Sequence, residues 1–459
     1  MIIMKFGGTS VADAGRILAV AEIVRAHLER APVVVVSALA GVTDLLVAAV
    51  DAARRGDREA LDPVLADLER RHRWALAGSI EDPGRRHDLS LEMDALFEDL
   101  RQLLRAVRIL GEGTPRSSDA LLAFGEALSS RILRASLEER GVRAKLFDPR
   151  DVLVTDERHG AAEPDLSEVA ARASGRLVPA LGRGETPVLG GFVGATREGR
   201  TTTLGRGGSD TTAAVLGSAL GAEEIQIWTD VDGLMSADPK LVAAARTLDR
   251  VSFAEAAELA HYGAKVLHPA SIAPAVRRAI PVRVLNSFRP EGRGTEIVEE
   301  TGGDGASVAS VASRGGLATI RVTSSRMRVE PGLFSAVLES LDRRGSVPEL
   351  MVSSEVSVTV AVPDTAVVAE VEKDLRERAR IEIRSGRAIV CLVGSGLARE
   401  ESARRRALAA LAALAPELVS MGGSGSSAAA VIPEDRLGGA VRELHRRFVE
   451  DGATGEGKA

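Results

Sequence analysis

The 459-residue chain is poor in aromatic residues, with two Trp, one Tyr and nine Phe. A surface that stacks nucleobases needs such side chains, and the net charge of −6 supplies no basic footprint, so nucleic acid is not expected as a partner. The single cysteine, Cys391, excludes an internal disulfide and lies in the apolar run Ala388 to Val393, where it reads as core. No run approaches the roughly 18 apolar residues that a membrane span needs. The start of the chain has neither the basic region nor the cleavage site of a secretory signal, and a cytoplasmic protein without membrane partners is expected. What is present, 45% hydrophobic and 27% charged residues, suits two or three globular domains packed on Ala, Val and Leu.

Hydrophobic periodicity divides the chain at a polar, glycine-rich stretch, Glu299 to Gly305. Before it, strands at Ile2 to Phe6, Val33 to Val36, Ala144 to Phe147, Pro187 to Leu189, Glu224 to Trp228 and Pro281 to Leu285 alternate with helices. That pattern predicts an α/β sandwich around a largely parallel sheet. Leu61 to Leu110 is charged and carries leucine stripes at helical spacing, so it reads as a helical insertion, and Arg116 to Glu139 as one long helix. After the linker, Ala318 to Val322, Leu333 to Arg343 and Ser357 to Val362 form a βαβ unit, followed by the helix Ala366 to Arg378. Ala388 to Val393, Ala403 to Leu414 and Ala428 to Ile432 repeat it, which suggests two small ferredoxin-like modules.

Four clusters carry chemistry. Lys5-Phe6-Gly7-Gly8-Thr9-Ser10 places a lysine and two glycines at a strand-to-helix junction. Alone it is a turn beside a solvated lysine; in an α/β context it is a phosphate cradle, because glycine lets backbone amides approach an anion. Thr201 to Thr212 brackets Arg206 with Gly205, Gly207 and Gly208, and a guanidinium is a fork for carboxylate or phosphate. Asp210, at the start of the following helix, reads equally as a site acid and as an N-cap. Trp228-Thr229-Asp230-Val231-Asp232, followed by Asp238-Pro239-Lys240, clusters carboxylates at a strand end. Gly263-Ala264-Lys265-Val266-Leu267-His268-Pro269 follows a helix, and His268, without Cys or acidic partners at ligand spacing, reads as structural rather than as a metal ligand.

The motifs Lys-Phe-Gly-Gly-Thr-Ser, Thr-Leu-Gly-Arg-Gly-Gly-Ser-Asp, Trp-Thr-Asp-Val and Gly-Ala-Lys-Val-Leu-His-Pro resemble those of aspartate kinases, in order, from residue 1 to about 450. The resemblance implies an amino-acid-kinase catalytic domain over 1–298 with a helical insertion at about 57–110, and a linker at 299–307. It also implies two interleaved ACT regulatory modules over 308–450, the first about 315–386, the second about 308–314 plus 387–450. The monofunctional, lysine-sensitive branch is nearest, because Ser354-Glu355-Val356-Ser357 resembles its ACT signature. The implied reaction is transfer of the γ-phosphoryl group of MgATP to the β-carboxylate of L-aspartate, an early step towards lysine, threonine and methionine. A homodimer paired through the ACT modules is expected.

By the same resemblance, Lys5 and the Gly7 and Gly8 amides hold the transferring phosphate and Asp210 organises the reacting groups. Lys265 supports the nucleotide side, and Thr229 and Asp230 lie at ATP. Arg206 grips the substrate α-carboxylate, Glu126 receives its ammonium, and Ser37, Thr43, Phe192 and Ser209 shape the pocket. Met235 and Lys240 stand where this branch commonly has Tyr and Arg in the nucleotide loop. No metal ligand set of the protein's own is implied. The effector set would be Met327, Glu330, Gly332, Val347, Pro348, Glu349, Ser354 and Glu355. Val347-Pro348-Glu349 replaces the usual Ser-Val-Asp, and the loss of a hydroxyl and a backbone donor predicts weak or absent inhibition by lysine. Alternatives are a kinase for another acceptor, which would lack the combination of Arg206 loop and paired ACT modules, and a non-catalytic amino-acid sensor, which leaves Lys5 and Lys265 unexplained.

Overall fold

A computed structural model describes residues 1–263, 269–301, 307–324 and 332–451. They fall into two compact units, one of residues 1–233 and 266–299, the other of residues 234–265 and 300–459.

In the first unit β1 (Ile2–Phe6), β2 (Pro32–Val36), β3 (Ala144–Phe147), β4 (Thr186–Gly190) and β7 (Glu224–Thr229) are short and apolar, and β1 and β2 are buried throughout. A hairpin, β5 (Val193–Ala195) and β6 (Thr201–Thr203), lies outside the main sheet. Together with β9 (Val282–Asn286) and β10 (Thr295–Val298) the main strands line up as β3-β4-β2-β1-β7-β9-β10. Pairings from β3 through β9 are parallel and β10 runs antiparallel to β9. Continuous apolar strands are what a parallel sheet covered on both faces requires, each fully buried valine contributing about 1.5–3 kcal/mol. Side chains alternate along β1. Ile2, Met4 and Phe6 join the core formed with the helices Ala14–Ala26, Val42–Arg54 and Phe124–Glu139. Ile3 faces Gly217 of the helix Gly208–Leu220 on the opposite side.

The insertion is a pair of long helices, Arg58–Ser79 and Pro83–Leu110, whose Leu68, Leu100 and Leu104 are buried. Arg116 to Glu139 is not one helix. It breaks at Ala123 into Pro115–Leu122 and Phe124–Glu139, where Gly125 is pressed so closely on Ala38 that an added Cβ would lie 2.8 Å from the alanine's own.

The second unit opens with residues 234–265, including the short strand β8 (Arg250–Ser252) and the helix Phe253–Tyr262. Its sheet contains β11 (Ser310–Ser324), β12 (Leu350–Ser353), β13 (Ser357–Pro363), β14 (Ala379–Val393), β15 (Leu418–Met421) and β16 (Ser427–Pro433) in the order β12-β13-β11-β14-β16-β15. Residues 310–314 of the segment expected to belong to the second module and the expected strand Ala318 to Val322 run together in the 15-residue β11, which pairs with β14 along its length across a register shift at Arg314/Leu317. Apolar clusters form at both ends of the sheet, one around Val337, Val360 and Val371, the other around Leu392, Ala407 and Val441. Cys391 is fully buried on β14, as expected, and burial pushes its thiol well above the ordinary range.

Candidate active site

The alternation that buries Ile3 against the helix Gly208–Leu220 puts Lys5 on the same face, at the carboxyl end of β1. There its Nζ meets Asp210 Oδ1 at 2.6 Å, with both side chains nearly buried. Asp210 does not cap its helix. Gly207, with φ +72°, takes the N-cap position, the helix starts at Gly208, and Asp210 lands in the first turn, facing Lys5.

The turn after β1 differs from expectation. The Gly7 amide donates to Trp228 O at 3.0 Å and is not on offer to a phosphate. The next residues form a 3-10 turn, Gly8–Val11, and the α-helix begins only at Ala14, where the Asp13 carboxylate accepts from the Arg16 amide. The cradle is therefore a tight turn with Gly8 at its start, and not the N-terminus of a long helix. Gly8 is tightly placed, since a Cβ there would sit 3.0 Å from Ala38 O.

Close contacts make a ring at the carboxyl ends of the strands. Gly8 touches Ala38, the Ala38 amide donates to Glu126 Oε1 at 3.1 Å, and Glu126 packs against Gly190. Gly191 then abuts Ser209, beside Asp210 and hence Lys5. Glu126 is 3% exposed and its Oε2 is buried without a hydrogen-bond partner among the described residues. Burial pushes its carboxyl up to about 8, against the opposing pull of the Ala38 amide. Phe192 holds a left-handed φ of 66°, fixed because its amide donates to Thr212 Oγ1 at 3.1 Å and its carbonyl accepts from Leu204 N at 2.9 Å. Such strain costs on the order of 1–3 kcal/mol and gathers at functional sites. Ser37 is fixed at the end of β2, its amide donating to Phe6 O and its carbonyl accepting from Ser129 Oγ. Thr43 lies half-buried one turn beyond this loop. Arg206 is exposed, and no ion pair holds it among the described residues.

Thr229 and Asp230 follow Trp228 at the end of β7, with Thr229 Oγ1 donating to Asp230 Oδ1 at 3.2 Å. Asp232 is engaged by Asn286 Nδ2 at 2.7 Å and by Arg289, so part of the acidic cluster is structural. Met235 and Lys240 belong to the second unit, and the Lys240 amide closes a turn on Asp238. Lys265 and His268, with Met327 and Glu330 of the effector set, lie outside the described residues. Of that set, Gly332 is the N-cap of the helix Leu333–Asp342, Val347 is exposed, and Ser354 and Glu355 form the β12–β13 turn. Glu349, just before β12, is buried, and its Oε2 pairs with Arg314 Nη1 at 2.7 Å. The carboxylate is thus already matched by a cation of the same unit. Among the described residues no group of three His, Cys, Asp or Glu is placed to hold a metal ion.

Sequence reasoning missed several supports. Ser287 Oγ donates to Ser10 Oγ at 2.8 Å and Ser10 Oγ donates to Trp228 O at 3.2 Å, tying the cradle to the ends of β7 and β9. Asp119, on the short helix before Glu126, is buried with three donors on its carboxylate. An acid one helix before Glu126 was the only signal for it.

The Amino acid kinase family profile matches residues 1–286. The lysine-sensitive aspartokinase 3 of Escherichia coli is 34% identical over 98% of this chain and 99% of its own. The crystal structure of E. coli aspartokinase III with lysine and aspartate superposes with a TM-score of 0.87 at 34% identity, covering 98% of this chain and 99% of that one. The structure of E. coli aspartokinase III with aspartate and ADP gives a TM-score of 0.80 at the same identity and coverage. With its relatedness running the whole length of the chain, the protein belongs to the aspartokinase branch of the amino acid kinase family.

Proposed function

We propose that this aspartokinase uses ATP, carried with Mg²⁺, to phosphorylate the β-carboxylate of L-aspartate, giving 4-phospho-L-aspartate and ADP. The observation that carries the site assignment is the Lys5–Asp210 pair on the same ring as the buried, half-satisfied Glu126. The E. coli relative solved with aspartate and ADP supports the choice of substrates. A carboxylate is already a nucleophile, so no general base and no covalent enzyme intermediate is needed. The task is to align two anions and neutralise charge on the moving phosphoryl group.

Lys5 supplies a cation to that group, and Gly8 lets the backbone come close to it. Asp210 holds the Lys5 ammonium in place. Glu126 takes the substrate ammonium on its unsatisfied Oε2, and Arg206 takes the α-carboxylate. Ser37, Thr43, Phe192 and Ser209 shape the walls. Thr229, Asp230 and Lys265 serve the nucleotide, with Met235 and Lys240 as weaker candidates. Mg²⁺ fits this donor set as an ion that arrives on the nucleotide phosphates and keeps most of its water. Asp210 is the acid that would face it, and the bound ion would offset phosphate charge.

The regulatory modules are proposed to pair two copies into a homodimer, and the product to feed lysine, threonine and methionine synthesis in the cytoplasm. No helix among the described residues is long and apolar enough to cross a membrane. ADP release measured with aspartate against glutamate tests the reaction. Turnover with aspartate alone is expected, and preference for glutamate would overturn the assignment.

A further inference from the structure

Arg206 presents a functional puzzle: no side-chain partner among the described residues fixes it, yet a carboxylate clamp must be aimed. Its aim must come from the backbone of the loop Leu204–Gly208. Three facts show how that backbone is held. Thr203 Oγ1, at the end of β6, donates to Asp119 Oδ1 at 2.6 Å. Gly160 N donates to the other oxygen, Oδ2, at 3.1 Å, and His159 Nδ1 lies 2.7 Å from the same atom. Gly205, with φ +74°, then packs on the Gly160 segment so tightly that a Cβ would lie 3.0 Å from Gly160 O. One carboxylate, 1% exposed, pins both walls of the turn that carries Arg206. The Ala162 amide adds a bond to Thr203 O at 2.9 Å between the same walls.

Asp119 also belongs to the helix Pro115–Leu122, which leads directly into the helix carrying Glu126. The buried acid therefore connects the element that bears Glu126 to the loop that bears Arg206. We infer that Asp119 and His159 are positioning residues that set the spacing between the two groups that grip the ammonium and α-carboxylate of aspartate. The inference rests on the assignment of Arg206 to the substrate. A buried carboxylate with donors from two segments is a rigid spacer, because releasing either donor leaves an acceptor unsatisfied.

The test is steady-state kinetics on His159→Ala, His159→Asn, Asp119→Asn, Arg206→Ala and the His159→Ala/Arg206→Ala double variant, each checked for folding by thermal melting. Small misplacements of a substrate clamp cost on the order of tenfold or more, so His159→Ala is expected to raise the KM for aspartate about tenfold while the KM for ATP stays within about twofold. His159→Asn, which keeps a side-chain N–H, should recover most of that loss. In the double variant the loss should not exceed that of Arg206→Ala alone, because both changes act through one contact. His159 is partly exposed, so its variants keep the test decisive if Asp119→Asn fails to fold. Losses that multiply fully in the double variant, or a His159→Ala enzyme with unchanged KM for aspartate beside an impaired Arg206→Ala, overturn the inference and leave the Arg206 assignment standing. An Arg206→Ala enzyme with normal KM for aspartate overturns both.

Discussion

Glu126 makes opposite demands on folding and on binding, and replacing it with glutamine separates them. Its carboxyl is pushed from 4.5 to about 8 by burial, with Oε2 unsatisfied. At pH 7 about nine in ten free molecules hold it protonated, and an ammonium ligand must draw off that proton. Each pH unit below 8 therefore weakens aspartate binding about tenfold, or about 1.4 kcal/mol. Calorimetric titration with aspartate should show affinity climbing tenfold per unit from pH 6 to 8 and flattening above it. Glu126→Gln should bind weakly with no such slope. Stability runs the other way. The native carboxyl keeps a proton that the unfolded chain gives up near pH 4.5, so its contribution is complete below 4.5 and is lost as pH rises through 8. A gap of about 3.5 units is worth up to about 5 kcal/mol. Glutamine keeps the acceptor for the Ala38 amide and has no proton to lose. Urea melts should therefore find Glu126→Gln matching the parent near pH 4 and several kcal/mol more stable at pH 9. Parallel pH curves for the two proteins, in binding and in melting, would refute the reasoning, because they would mean that Glu126 is ionised as an ordinary surface acid.

Lys5→Ala should lower kcat by about 10²–10³-fold at saturating substrates, the cost of removing one preorganised charge from a phosphoryl-transfer site. A folded variant with near-normal turnover would remove Lys5 from the mechanism. Lysine at millimolar concentration should inhibit weakly or not at all, because Arg314 already occupies the Glu349 carboxylate. Strong inhibition in aspartate-saturation curves, abolished by Glu349→Ala, would show that the pair opens to admit a ligand. Cys391 should resist iodoacetamide in the native enzyme and react once urea unfolds it, since burial both shields the thiol and raises its pKa; rapid native alkylation followed by mass spectrometry would contradict the packing of β14.

What the sequence made legible was local, and what it hid depends on contacts between distant residues. The apolar runs of β1, β2 and β7 are buried-strand patterns, and the alternation of Ile3 and Lys5 already assigns them one face. By contrast, β11 extends upstream of the Ala318 to Val322 run and passes through Gly315-Gly316. Gly316 adopts φ +72° and the register of β11 on β14 slips there, so the glycines make an irregularity inside a strand rather than end it. The edge strands β12 and β15, four residues each, are too short for periodicity to separate from loops. At the site, glycine spacing revealed the cradle but not which amide it leaves free, because Gly7 is claimed by Trp228, more than 200 residues away. The same holds for Asp119, whose partners His159 and Thr203 lie 40 and 84 residues further on, and for Glu349, satisfied by Arg314 on another strand. Asp210 shows how little separates the two cases. An acid beside a glycine pair at a helix start is compatible with a cap or a site, and the choice is made by a single backbone angle at Gly207. Its left-handed conformation starts the helix early and turns the carboxylate towards Lys5.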